Sequence, residues 1–171
     1  SFMLVASMNP CPCGFYNHPE RECTCPPGAV TKYLNKISGP LLDRIDLHVE
    51  VTPVAFNELS STRNSEKSAD IRERVIRARD MQAERYKNNN GIYCNAQMSS
   101  KMLKDICVIN TVGANLLKAA MEKLNLSARA YDRILKVSRT IADLSESEEI
   151  KPEHLAEAIQ YRSLDREGWA G

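Results

Sequence analysis

The sequence FMLVASMNP occupies residues 2–10 and indicates the class of fold. Residues 2–6 form an apolar run that predicts a buried parallel strand, because such strands are covered on both faces. Asn9 and Pro10 end the run, since proline has no N–H group to donate to a sheet. A domain seldom begins at the first residue of a core strand. We therefore expect the sequence to be part of a longer protein with residues upstream.

A helix and a second strand are predicted to follow this run. Pro27 and Gly28 precede a helical stretch at about residues 29–37, which the sequence SGP at residues 38–40 stops. Residues 41–44 are expected to form a brief turn. Residues 45–51 alternate between apolar and polar side chains, the pattern of a strand that is covered on one face. Strand, helix and strand together predict a fragment of an α/β core.

The polar sequence NELSSTRNSEKS at residues 57–68 reads as a linker, and everything beyond it predicts helices. The first helix carries an apolar stripe of Ile71, Val75 and Ala78 and ends at the sequence NNNG. Ser127 is expected to cap the fourth helix, and Pro152 suits the first turn of the fifth. The later helices are predicted near residues 99–107, 111–124, 128–144 and 152–162.

The composition is that of a soluble protein, with 43% apolar and 26% charged residues. No apolar run approaches the roughly 20 residues needed to cross a bilayer. The apolar start has no basic segment before it, as a signal peptide would, so we expect a cytoplasmic location. Lys and Arg number 23 against 22 Asp and Glu, a formal net charge of +1. Any contact with DNA must therefore be local.

Four of the six cysteines crowd into one short segment, in the pattern C-x-C, nine residues, C-x-C. In a reduced protein this favours a metal over disulfides, and four thiolates suit a closed tetrahedral zinc site. An iron–sulfur cluster or free buried thiols are the alternatives, and His18 is a candidate replacement for one ligand. Cys94 and Cys107 are isolated and are expected to fill the core. The predicted zinc ligands are Cys11, Cys13, Cys23 and Cys25.

Three motifs appear in a fixed order: MNPCPCG at residues 8–14, SGPLLDRID at residues 38–46 and LSARA at residues 126–130. Together they resemble the magnesium-chelatase-like AAA+ ATPases, most nearly the ComM/YifB branch, over nearly the whole chain. The resemblance implies a fold in two parts, the end of an AAA+ αβα sandwich and an all-α helical lid domain. The sandwich fragment with its cysteine loop would take residues 1–56, the linker residues 57–68, and the lid residues 69–171.

The same resemblance implies that Asn9 is the sensor 1 residue, which orients the water that attacks the γ-phosphate. An amide at the end of a strand is held firmly enough for this role, and phosphoryl transfer depends on a positioned nucleophile. From the residues alone, Asn9 can equally cap the turn before Pro10.

Arg44 matches the arginine finger, which reaches into the ATP site of the neighbouring subunit. A guanidinium is always charged and forks onto phosphate oxygens, so it suits this role. The alternative is an ion pair with Asp43 or Asp46.

Arg129 matches sensor 2, the arginine that links the lid to the γ-phosphate. It lies near a helix start, where the backbone dipole also favours an anion. Arg133 and Arg139 follow on the same predicted helix, and either is a candidate for the same nucleotide contact. The alternative for all of them is a solvated helix charge.

No G-x-x-x-x-G-K-[ST] loop and no apolar strand ending in Asp-Glu occurs in the sequence. The resemblance assigns both to the region upstream of Ser1, so the chain by itself is expected to be inactive. For the full-length protein it implies ATP and Mg²⁺ as cofactors and a homo-hexameric ring, since a finger acting in trans repeats one interface until the ring closes. It also implies work on branched DNA during recombination or transformation.

Two other functions are open. One is the ATPase subunit of a chelatase that inserts a metal ion into a tetrapyrrole, although the paired cysteines after Asn9 resemble the ComM branch instead. The other is a non-enzymatic zinc module that binds protein or nucleic acid. The near-zero net charge and an aromatic content of 6% speak against a nucleic-acid module.

Overall fold

The computed structural model describes residues 2–54 and 65–162, and the regular structure in both ranges is helical. Two short helices, α1 (Ala29–Leu34) and α2 (Gly39–Leu42), lie in the first range. The second range contains α3 (Ser68–Tyr86), a 3₁₀ turn (Asn95–Gln97), α4 (Ser100–Ile106), α5 (Thr111–Lys123), α6 (Ala128–Leu144) and α7 (Pro152–Gln160). None of these helices is both long enough and apolar enough to cross a membrane.

Side chains just before the helices explain where several of them begin. The Ser99 hydroxyl accepts a hydrogen bond from the Met102 N–H, and the Asn110 side chain accepts one from the Gly113 N–H. Ser127 accepts from the Ala130 N–H, as predicted for the cap of α6. These oxygens satisfy backbone donors that have no partner within the helix. The predicted helices near residues 99–107, 111–124, 128–144 and 152–162 are thereby confirmed to within a few residues.

The core of the helical part is built around α6. This helix packs against α3, α4 and α7, and α5 packs against α7. A parallel bridge between Ile109 and Ile150 brings the starts of α5 and α7 side by side. Fully burying a large aliphatic side chain stabilises a fold by about 1.5–3 kcal/mol, so this cluster holds the helices together. Its most enclosed apolar members are Ile134, Ala142, Leu155 and Ala158. Cys107 also lies in this core, as predicted, whereas Cys94 is only half-buried.

The apolar stripe predicted for the first lid helix is confirmed at Ala78 and wrong at Ile71 and Val75. Ile71 and Val75 are 41% and 44% exposed, and the buried face of α3 consists instead of Ala78, Gln82 and Tyr86. The spacing correctly predicted a helix here. It did not predict the buried face, because that face includes the polar residue Gln82. Its side-chain oxygen accepts the Asn95 N–H, which satisfies it in the interior.

The two predicted strands are not formed. Residues 2–6 and 45–51 belong to neither helix nor strand, and Phe2 and Val51 are 91% and 89% exposed. A strand exists only when its backbone forms a ladder of hydrogen bonds with another strand, and among the described residues neither segment forms one. The α/β core fragment therefore remains a prediction, whereas the helical lid is present.

Several boundaries predicted for the first part of the chain differ from those of the structure. Gly39 and Pro40 were expected to stop a helix, yet they begin α2, because proline suits a first helical turn. The helix expected at residues 29–37 ends as α1 at Leu34. The predicted linker lies mostly outside the described residues, and Ser68 already belongs to α3. The division into residues 1–56, 57–68 and 69–171 stays a prediction.

Candidate functional site

Turns in the loop after Asn9 bring four cysteines together. Gly14 has a φ of +85°, a conformation that glycine adopts without strain, and its N–H donates to the Cys11 carbonyl over 3.0 Å. The Tyr16 N–H donates to the Cys11 sulfur over 3.3 Å. Cys11 is fully buried, and the other three thiols are half-buried. We call this group the cysteine cluster: Cys11, Cys13, Cys23 and Cys25.

The sulfur atoms of the cysteine cluster are spaced as the ligands of one metal ion would be. Sγ of Cys11 lies 3.3 Å from that of Cys13 and 3.8 Å from that of Cys23, and Cys13 and Cys23 are 3.6 Å apart. All four sulfurs lie within 4.8 Å of one another. A tetrahedral zinc ion with Zn–S distances of about 2.3 Å separates its sulfurs by about 3.8 Å. The residues present therefore fit a closed four-thiolate site.

The thiols of the cysteine cluster differ widely in acidity. A backbone hydrogen bond with Phe15 is the main reason why the pKa of Cys13 falls to about 5. A backbone hydrogen bond with Cys13 also favours the Cys25 thiolate, but burial and the neighbouring thiols outweigh it and raise the pKa of Cys25 to about 12. Each thiolate makes the next one less favourable, so the thiols titrate as a group. A bound metal cation would offset this repulsion.

His18, the predicted alternative ligand, does not belong to the metal-binding group that the four cysteines form. Its Nδ1 accepts the Glu20 N–H over 3.1 Å, and its ring packs edge-on against Phe15, with the centroids 5.7 Å apart. The histidine therefore contributes to the packing of the loop, and the four sulfurs are enough in number for a tetrahedral metal ion.

Asn9 and Arg44, the predicted catalytic residues, both have exposed side chains. Asn9 precedes the cysteine cluster by two residues. The Arg44 guanidinium donates to the Pro40 carbonyl over 2.6 Å, which closes the turn of α2. The alternative ion pair with Asp43 or Asp46 is not formed. Arg44 thus keeps most of its donors available to a ligand.

The arginines of α6 occupy three different environments. Arg129 is exposed and has no hydrogen-bond or ion-pair partner within the described ranges. Arg133 forms an ion pair with Asp46. Arg139 is 3% exposed and pairs with Asp143 inside the core. Of the candidates for a phosphate contact, Arg129 is therefore the most available.

The structure does not join the predicted catalytic and nucleotide-binding residues into one site. Within the described residues, Asn9, Arg44 and Arg129 make no hydrogen bond with one another. The cysteine cluster is the one predicted group whose members do come together.

Contacts between residues 45–48 and the helical part were not predicted. Besides the Asp46–Arg133 pair, the Arg162 guanidinium donates to the Ile45 carbonyl, and the His48 N–H donates to the Tyr161 carbonyl over 2.9 Å. The first two contacts join residues 87 and 117 positions apart in the chain. No local spacing rule connects positions so distant, so a single sequence carried no signal for them.

Comparisons with known proteins agree along nearly the whole chain. Residues 1–59 match the family described as "Magnesium chelatase, subunit ChlI", and residues 65–162 match "Magnesium chelatase, subunit ChlI C-terminal". The chain is 44% identical over 166 residues to competence protein ComM of Haemophilus influenzae. It is 41% identical over 166 residues to the uncharacterized protein YifB of Escherichia coli. Each alignment covers 96% of this chain and 31% of the relative, so the chain spans about a third of their length.

Proposed function

Because this chain belongs to the magnesium chelatase family, in its ComM/YifB branch, we propose that it is the C-terminal portion of an AAA+ ATPase. The observation that supports this most is the order of the Asn9, Arg44 and Arg129 motifs within the family match. In the full-length protein, upstream segments would bind ATP with Mg²⁺. This chain would supply the residues that sense and stabilise the γ-phosphate.

Each proposed catalytic residue has a chemical role that suits its side chain. The Asn9 amide can both accept and donate hydrogen bonds, which suits the orientation of an attacking water. Arg44 is exposed, and one nitrogen of its guanidinium donates to the Pro40 carbonyl, so its remaining donors can meet the phosphates of a neighbouring subunit. Arg129 lies in the first turn of α6, where the helix dipole adds to its attraction for an anion.

A finger that serves the neighbouring subunit implies a closed assembly of identical chains, for which we propose a homo-hexameric ring in the cytoplasm. We propose that this ring remodels branched DNA during recombination or transformation. One relative is named a competence protein, which supports the proposal. With a net charge of +1 in this chain, the DNA contacts would be local or on other parts of the protein.

The cysteine cluster is proposed to hold one structural zinc ion. Four thiolates leave no open position for a reactive water, so the ion would order the loop and take no part in hydrolysis. The loop runs from Pro10 to Pro27 and follows directly from Asn9. Metal binding would therefore brace Asn9 through the backbone.

ATP hydrolysis by the full-length protein tests the proposal when it is measured with branched DNA, with linear duplex DNA, and with a porphyrin plus Mg²⁺. We expect branched DNA to stimulate turnover most. Stimulation by porphyrin and Mg²⁺, with metal insertion into the ring, would instead indicate the chelatase function that the family description carries. No hydrolysis under any condition would contradict an ATPase role.

A further inference from the structure

Residues 45–48 are held against the helical part by three contacts, and they directly follow Arg44. The Asp46 carboxylate pairs with Arg133 on α6, and the Ile45 carbonyl accepts from Arg162 at the end of α7. The His48 N–H donates to the Tyr161 carbonyl over 2.9 Å, and the His48 side chain is 5% exposed. Every residue of this segment except Leu47 therefore contacts α6 or the two residues that follow α7.

The contacts of Arg162 and Arg133 differ in how much they stabilise the packing of residues 45–48. Arg162 is 1% exposed, and a buried guanidinium is tolerated only when its donors are matched by acceptors. Its bond to the Ile45 carbonyl is therefore an anchor. The Asp46 and Arg133 side chains are 55% and 27% exposed, so their pair adds less stability. The pair instead fixes the orientation of residues 45–48 relative to α6.

The position of Arg133 matters because of its neighbours on α6. Arg129 precedes it by four residues, one helical turn, and faces solvent. Since α6 is a continuous helix of 17 residues, Arg129 and Arg133 belong to one rigid element, and the partner of Arg133, Asp46, lies two residues after Arg44. One guanidinium nitrogen of Arg133 already donates to Asp46, whereas Arg129 has no hydrogen-bond partner among the described residues.

We infer that Arg133 is a positioning residue that ties α6 to the segment after Arg44 and is not itself a nucleotide ligand. The inference rests on the proposed ATPase function. It gives one subunit a direct link between α6, which carries the proposed sensor Arg129, and the segment next to the proposed finger Arg44. Arg162 and Asp46 are the other members of this link.

Hydrogen exchange at the backbone amide of His48 tests the link in this chain without nucleotide. Arg133→Gln should speed exchange about two- to fivefold, as expected for loss of a partly exposed ion pair. Arg129→Gln, a matched change one turn earlier, should leave the rate unchanged. Exchanging the charges, Asp46→Arg with Arg133→Asp, should return the rate toward that of the wild type. An unchanged rate in Arg133→Gln would overturn the inference.

Steady-state ATP hydrolysis by the full-length protein separates positioning from binding. Arg129→Gln should raise the KM for ATP. Arg133→Gln should lower kcat with little effect on KM, and the charge exchange should recover part of kcat. If Arg133→Gln raises KM as much as Arg129→Gln, Arg133 is itself a nucleotide ligand and the inference is wrong. If the wild-type protein does not hydrolyse ATP, the ATPase proposal fails. The hydrogen-exchange measurement at His48 still decides whether Arg133 holds residues 45–48.

Discussion

Arg139 and Asp143 lie one turn apart on α6 and form an ion pair whose side chains are 3% and 0% exposed. Arg85 of α3 donates to both oxygens of the same carboxylate, over 2.5 and 2.8 Å. Arg139 also donates to the carbonyls of Ser147 and Glu148, over 2.5 and 2.7 Å. A single buried carboxylate thus connects α3, α6 and the loop that leads to α7.

Asp143→Ala should destabilise the chain by about 3–5 kcal/mol, because it leaves two guanidinium groups without their shared acceptor. Urea unfolding followed by circular dichroism measures the loss. Glu122→Ala is the matched control, since it removes an exposed pair at the same spacing, Lys118–Glu122, and should change the unfolding midpoint little. Equal effects of the two substitutions would contradict a structural role for the buried network.

Protein purified without a chelator should contain about one zinc ion per chain, held by the cysteine cluster. Cys23→Ser combined with Cys25→Ser should remove the metal, whereas Cys94→Ser, a half-buried cysteine outside the cluster, should not. The loss should loosen the loop around Asn9 and leave the helical core intact, because that core contains no residue of the cluster. Elemental analysis and thiol labelling measure both effects. Absent metal and four rapidly reacting thiols would rule out the site.

His154 should make stability depend on pH near neutrality. It is 4% exposed, burial lowers its pKa below 6.5, and its Nδ1 accepts the Lys151 N–H over 3.1 Å. The folded state therefore binds a proton less readily than the unfolded state, so stability is full above about pH 6.5 and falls as pH decreases below it. Thermal unfolding between pH 8 and pH 5 measures this. His154→Asn should reduce the loss, and an unchanged pH profile in that variant would contradict the assignment.

The isolated chain should bind ATP only weakly and should not hydrolyse it, because it lacks a phosphate-binding loop. Titration calorimetry with ATP and Mg²⁺ measures the affinity. Micromolar binding would mean that residues of this chain form an anion site that the family resemblance does not assign.

Sequence reasoning succeeded where the cause of structure is local. Ser127 marks a helix start through its bond from the Ala130 N–H, Pro152 marks another because proline suits a first helical turn, and the spacing of four cysteines within one loop predicted the cysteine cluster. It failed for residues 2–6, whose apolar character fits a strand but whose pairing depends on a partner segment. It also did not show that Arg133 and Arg139 lie in different environments, because their partners are known only once the helices are packed.

Arg44→Ala in the full-length protein should lower ATP turnover by about 10³- to 10⁵-fold while nucleotide binding stays near normal, because the finger serves the neighbouring site. Arg79→Ala, an exposed arginine on α3, is the control and should leave turnover unchanged.

The most direct measurement mixes Arg44→Ala subunits with subunits that lack the lysine of the phosphate-binding loop and follows ATP hydrolysis of the mixed rings. Neither variant should turn over ATP when it is present by itself. The mixture should recover part of the activity, since some interfaces then combine an intact finger with an intact phosphate-binding loop. No recovery, although the two variants assemble together, would contradict the role of Arg44 in a neighbouring ATP site.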